Sequence, residues 1–111
     1  MRILIDEDLD VRPRHHFGKD HHVETVQYRG WKGLKNGRLL TAASPDFDVL
    51  LTADHNLLAQ QNLSRFDIAV MVLVAKSKRL PDLLALLPEV LEILPTLKPG
   101  TGREVGSGST L

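Results

Sequence analysis

Arg2-Ile3-Leu4-Ile5 runs directly into Asp6-Glu7-Asp8, and Phe47-Asp48-Val49-Leu50-Leu51 runs into Thr52-Ala53-Asp54. Short unbroken apolar runs of this kind read as strands buried on both faces, the habit of parallel sheets in α/β proteins. Ligands of such sheets sit at the carboxyl ends of the strands. Two strand ends here carry carboxylates, so chemistry is expected at that edge.

Working outward, the first strand covers Arg2 to Asp6. Asp10 is placed to cap a weak helix over Val11 to Phe17, with Pro13 in its first turn. Gly18-Lys19-Asp20 is a turn, and His22 to Tyr28 alternates with the period of a second strand. A loop from Arg29 to Lys35 leads to Asn36, which is expected to cap a helix over Gly37 to Ala43 that Pro45 ends. Phe47 to Thr52 is the third strand, Leu57 to Leu63 a short helix, and Ile68 to Val74 a strongly apolar fourth strand. Leu80 to Leu94 is the longest helical stretch; Pro81 suits its first turn, and Pro88 should kink or divide it. Gly100 to Leu111 reads as a short strand around Arg103-Glu104-Val105 and then a loose Gly/Ser-rich tail. The expected architecture is a three-layer α/β/α domain over residues 1–100, with a mostly parallel central sheet of four to five strands, and the strand and tail over 101–111.

A chain of 111 residues suits one domain with a core of its own. Fourteen basic and fourteen acidic side chains leave no net charge, so affinity for nucleic acid would have to come from local patches. There is no cysteine, which excludes disulfides and thiolate metal sites. No apolar run reaches the roughly 20 residues of a membrane span, and acidic residues interrupt any signal-peptide core at the start. A cytoplasmic location is the expectation.

Asp6, Glu7 and Asp54 follow the carboxyl ends of strands one and three, whereas Asp46, Asp48 and Asp67 precede strands and belong to the opposite edge. Converging carboxylates repel unless a cation sits between them, and oxygen-only ligation suits Mg²⁺ or Mn²⁺. The same edge collects positive charge: Arg29, Lys32, Lys35 and Arg38 after the second strand, and Lys76, Lys78 and Arg79 after the fourth. Carboxylates within a basic rim suit a metal-dependent enzyme acting on a phosphodiester. Tyr28 and Trp31 in that rim could stack on an unpaired base. Each part also has an ordinary reading. Asp8, Asp54 and Asn36 suit helix caps, Thr52 suits a strand, and Trp31 can close the core. His15-His16 and His21-His22 diverge as neighbours and lack a zinc spacing, so they read as surface and turn residues. The leucines of the last helix read as core, with a homodimer or partner face as an outlet for the remainder.

The "ILIDE" start, the "GLKNG" segment opening the middle helix, the "FDVLLTAD" strand and the "QQNL" and "RLPDLL" stretches, taken in order, resemble the short PIN-like nucleases of prokaryotic toxin–antitoxin pairs. The resemblance runs from about Met1 to Gly100. It implies a PIN-like α/β/α domain that cuts RNA with Mg²⁺ or Mn²⁺ and is held by a small helix-turn-helix antitoxin-like protein. On it, Asp6 is the first metal-binding carboxylate and Asp54 the last, with Glu7 or Asp8 as a third. Thr52 matches a hydroxyl two residues before the final Asp, and Asn36 falls near an acidic or amide position at the helix start. Arg38 departs from a usual Glu, and Asp8 from a usual Asn or Cys.

Three readings follow. The first is a metal-dependent endoribonuclease in which Arg29, Trp31, Lys32, Lys35, Arg38 and Lys76 hold RNA. The second is a catalytically weak module of the same fold, kept for binding its antitoxin. The third is a phospho-acceptor receiver domain with Asp54 as acceptor, against which stand Ala75 in place of a Ser or Thr, a Lys76 that follows the fourth strand where the lysine belongs after a fifth, and the lack of a full fifth βα unit.

Overall fold

Successive side chains of a strand point to opposite faces, so a run that is apolar at every position must be covered on both. The computed structural model describes residues 1–106. Its strands are β1 (Arg2–Ile5), β2 (His22–Thr25), β3 (Val49–Thr52), β4 (Ala69–Val74) and β5 (Gly102–Gly106). They form one sheet in the order β2-β1-β3-β4-β5, and every pairing is parallel. β3 is wholly buried, and β1 and β4 nearly so, while the edge strands β2 and β5 are largely not.

Alternation sorts the core into two layers. Ile3, Ile5, Val49, Leu51, Ala69 and Met71 meet Leu83, Val90 and Ile93 of helix α3 (Leu80–Ile93) on one face. Leu4, Leu50, Val70 and Val72 meet Leu39, Leu40 and Ala43 of α1 (Asn36–Ala43) and Leu57 of α2 (Asn56–Gln60) on the other. The result is a three-layer α/β/α domain, as the strand patterning predicts. Among the described residues no helix is long and apolar enough to cross a membrane.

Local differences have physical causes. The helix expected over Val11 to Phe17 is a single 3₁₀ stretch, Arg12–His16, with Pro13 buried in it; Asp10 holds the Arg12 N–H at 2.9 Å. β2 stops at Thr25 rather than Tyr28, because the Thr25 hydroxyl and carbonyl take the N–H groups of Tyr28 and Arg29 and turn the chain. Asn36 is not a cap. Lys35 holds the extended cap position, and Asn36 is the first helical residue with φ of 43°. α2 begins one residue early, and Leu63–Arg65 is a separate 3₁₀ turn. Pro88 does not divide α3; it lies on the exposed side, where a carbonyl that it leaves unbonded can be hydrated. Of the leucines on α3, Leu86, Leu87 and Leu91 pack against the core. Tyr28 is the one large apolar side chain exposed among the described residues.

β5 pairs with β4 from Val70↔Gly102 to Val74↔Gly106, so the segment after residue 100 belongs to the same sheet. Its glycines permit the approach. A Cβ at Gly102 would fall 2.3 Å from Leu58 Cδ2, and one at Gly106 would fall 2.1 Å from the Val74 carbonyl oxygen. The tail expected over 107–111 lies outside the described residues.

Candidate functional site

The chain leaves β1 for β2 on one side and then places β3 on the other. Strand order reverses there, and the crevice outside the strand ends at such a point is where parallel α/β sheets take ligands. Asp6, Glu7 and Asp8 follow β1, and Ala53 and Asp54 follow β3. The Asp6 N–H bonds the Leu51 carbonyl at 2.9 Å, which keeps the two ends in register. By alternation Asp6 falls on the face of Leu4, and Thr52 on that of Leu50, both toward α1 and α2. A cleft of about 230 Å³ opens there. Asp6, Glu7, Asp8, Asp54, Lys35 and Asn36 line it, over a floor of Leu34, Leu39 and Leu57.

Thr52, fully buried, is the hub. Its hydroxyl donates to Asp6 Oδ2 at 2.7 Å, lies 3.2 Å from Asp8 Oδ2, and accepts the Asp54 N–H at 3.1 Å. Asp6 Oδ1 takes the Glu7 N–H at 2.7 Å, and Asp8 takes the Ala53 N–H. Asp54 Oδ1 accepts the N–H of Asn56, the first residue of α2. Asp54 thus serves the helix start and lines the cleft at once. Glu7 Oε1 accepts the Gly33 N–H at 2.9 Å, tying the β2–α1 loop to the site. Burial pushes the Asp6 carboxyl above its ordinary value; the Thr52 hydroxyl bond opposes this, and the charges of Asp8 and Glu7 add to the rise.

Asn36 keeps a left-handed backbone, which Asn adopts more readily than other non-glycine residues. Its side chain caps nothing and lines the cleft instead.

The basic residues divide. Lys32, Lys35 and Arg38 are exposed and, among the described residues, enter no ion pair. Lys76 is also exposed, but it lines a separate cleft of about 360 Å³ with His55 and Lys78, on the α3 side of the strand ends. Arg29 and Trp31 turn inward, against the expectation of an RNA-facing rim. Arg29 bonds Glu24 and, at 2.8 Å, Asp46, and its guanidinium stacks 4.7 Å from the Phe47 ring and 5.3 Å from Trp31. Trp31 packs edge-on against Phe47 in the core. The ordinary reading of Trp31, closing the core, is the one its packing supports. Tyr28, 80 % exposed, is left to present an aromatic face. His55 was not singled out from the sequence, although its place beside Asp54 was a signal.

Among the described residues no group of three or more His, Cys, Asp or Glu side chains could hold a metal ion as it stands. Asp6, Asp8 and Asp54 nevertheless line one cleft as hard oxygen donors, and Mg²⁺ needs only one or two carboxylates beside water and phosphate oxygens. The donor set fits that class of ion and no thiophilic one. In comparisons with protein-family models, characterised proteins and solved structures, nothing matches this chain.

Proposed function

We propose that this chain is an endoribonuclease of PIN type that depends on Mg²⁺ or Mn²⁺. One observation carries the reading: carboxylates from two strand ends share a cleft at the reversal of strand order, with one of them buried beside like charges. Carboxylates that converge at this electrostatic cost are suited to a cation between them. Asp6 and Asp54 would hold the ion, with Asp8 beside them and water and phosphate oxygens completing its shell. When bound, it supplies charge stabilisation at the scissile phosphate and lowers the pKa of a water. Thr52 fixes the rotamers of Asp6 and Asp8, Glu7 anchors the loop that carries the basic residues, and Asn36 directs an amide into the cleft. Lys32, Lys35 and Arg38 would position the strand through its phosphates. With the resemblance to toxin components, the reading extends to a cytoplasmic toxin held by a helix-turn-helix antitoxin-like protein.

The test is Mn²⁺ calorimetry on the wild type and on Asp6→Asn/Asp54→Asn, together with cleavage of RNA by Asp54→Asn. Binding lost in the double variant, and cleavage abolished by Asp54→Asn in a folded protein, support the assignment. A fully active Asp54→Asn refutes it. If the wild type binds no Mn²⁺ with or without RNA, the non-catalytic, antitoxin-binding module takes its place.

One observation favours a phospho-acceptor domain: the order β2-β1-β3-β4-β5 is also that of receiver folds. Against it, Ala75 follows β4 where such domains place a Ser or Thr, and Lys76 also follows β4, whereas their lysine follows the fifth strand. Incubation with a small phosphodonor and mass measurement decides, since an unchanged mass removes it.

A further inference from the structure

Tyr28 is the residue that the fold leaves without a structural task. It is 80 % exposed and the one large apolar side chain so placed among the described residues. Its backbone is nonetheless held firmly. The Tyr28 N–H bonds the Thr25 hydroxyl, the Arg29 and Gly30 N–H groups bond the Thr25 and Gln27 carbonyls, and the Trp31 N–H bonds that of Val26. Behind it, Arg29 is clamped between Glu24, Asp46 and the Phe47 ring. An aromatic ring on so well tied a turn is presented outward at little entropic cost on binding.

Its position relates it to the carboxylate cleft. Thr25 ends β2 and pairs with Ile5, the residue before Asp6, so Tyr28 stands beside the strand end that delivers Asp6. From Tyr28 a broad cleft of about 580 Å³ runs along the outer side of β2 to Val11 and Arg14. Arg14 spends one guanidinium nitrogen on the Val11 carbonyl and, among the described residues, meets no carboxylate. Glu24, the acid lining this cleft, is bonded by Arg29 and His22. The cleft therefore offers a π-face at one end, an unpaired cation at the other and little free negative charge between them.

We infer that Tyr28 is a base-stacking residue for single-stranded RNA, and that the β2 cleft carries the nucleotides flanking the cleaved phosphate. This rests on the ribonuclease reading and deepens it by giving the substrate strand a path across the outer side of β2, with Tyr28 against an unpaired base, because a duplex buries the base faces that a tyrosine ring would meet. Single-stranded recognition commonly combines a cationic groove with one or more such rings.

The test is fluorescence anisotropy with a short labelled single-stranded RNA and its duplex. Wild type, Tyr28→Ala, Tyr28→Phe and Arg14→Ala are compared in EDTA, so that no cleavage occurs. Tyr28→Ala should weaken single-strand binding roughly tenfold, the order of one stacked base, while Tyr28→Phe stays near wild type. Duplex affinity should not respond to either change. Arg14→Ala should weaken binding and lower its salt dependence. Equal single-strand affinities for wild type and Tyr28→Ala overturn the inference. If cleavage still requires Asp54, the nuclease reading survives that result. A wild type that binds no RNA under any condition overturns both.

Discussion

Asp6→Asn should make this protein more stable at neutral pH while disabling its site. Thr52 Oγ1 lies 2.7 Å from Asp6 Oδ2 and 3.2 Å from Asp8 Oδ2. The two carboxylate oxygens are therefore at most about 6 Å apart, where unit charges repel by roughly 3 kcal/mol at an effective dielectric constant of about 20. Burial of Asp6, 9 % exposed, adds to that cost. A carboxamide removes both penalties. It also weakens the bonds from Thr52 and from the Glu7 N–H, by roughly 1 kcal/mol each. The net gain is about 1 kcal/mol, or a Tm rise of about 4 °C for a domain of this size. The pH dependence follows from the direction of the shift. Asp6 keeps its proton to higher pH in the fold than in the unfolded chain, whose value is near 3.8. Wild-type stability therefore falls as pH rises from 3.8 through the folded value, and Asn avoids that fall. Thermal melts of both proteins in EDTA, at pH 7 and near pH 4, provide the assay. The variant should melt higher at pH 7, and the difference should shrink toward pH 4. A variant that melts lower at pH 7, or by the same margin at both pH values, refutes the electrostatic account.

Thr52→Val keeps the side-chain shape but removes the hydroxyl shared by Asp6, Asp8 and the Asp54 N–H, and should cost roughly 2–3 kcal/mol. An unchanged urea midpoint would count against the hub. Glu24 is held at about 2 by its bond to Arg29, with help from His22, against 4.5 in the free group. Its stabilisation is complete above pH 4.5 and is lost as pH falls through about 2. Arg29→Gln should therefore lower the urea midpoint at pH 7, and the part of that loss owed to Glu24 should fade below pH 4.5, which denaturation across that range would reveal. Gly106→Ala places a Cβ 2.1 Å from a backbone oxygen at a φ of 132° and should cost about 2 kcal/mol or more. Wild-type stability in that variant would show that the β4–β5 pairing is looser than described.

Much of the architecture was legible because buried parallel strands have a plain signature. Val49 to Thr52 and Ala69 to Val74 are apolar or small enough at every position to require cover on both faces, and they are covered. The same logic placed Asp6 and Asp54 at one edge, since a residue just beyond a strand end has few places to go. The cap at α1 was misread because Asn is favoured both as a cap and in left-handed conformation, and only the backbone chooses between them. Arg29 and Trp31 were misplaced for a different reason. Their partners, Asp46 and Phe47, lie 17 and 16 residues further along the chain and precede β3, and long side chains can cross the distance that separates two sheet edges.

By itself, then, the sequence determined the layers, the strand ends and the chemical type of the carboxylate edge. Those follow from periodicity and residue type, which are local properties. Tertiary structure alone decided that the strand order reverses between β2, β1 and β3, that Thr52 gathers Asp6, Asp8 and the Asp54 amide, and which aromatic ring faces outward. These depend on contacts between residues far apart in the chain, whose free energies exist only once the sheet has closed and the loops are packed on it.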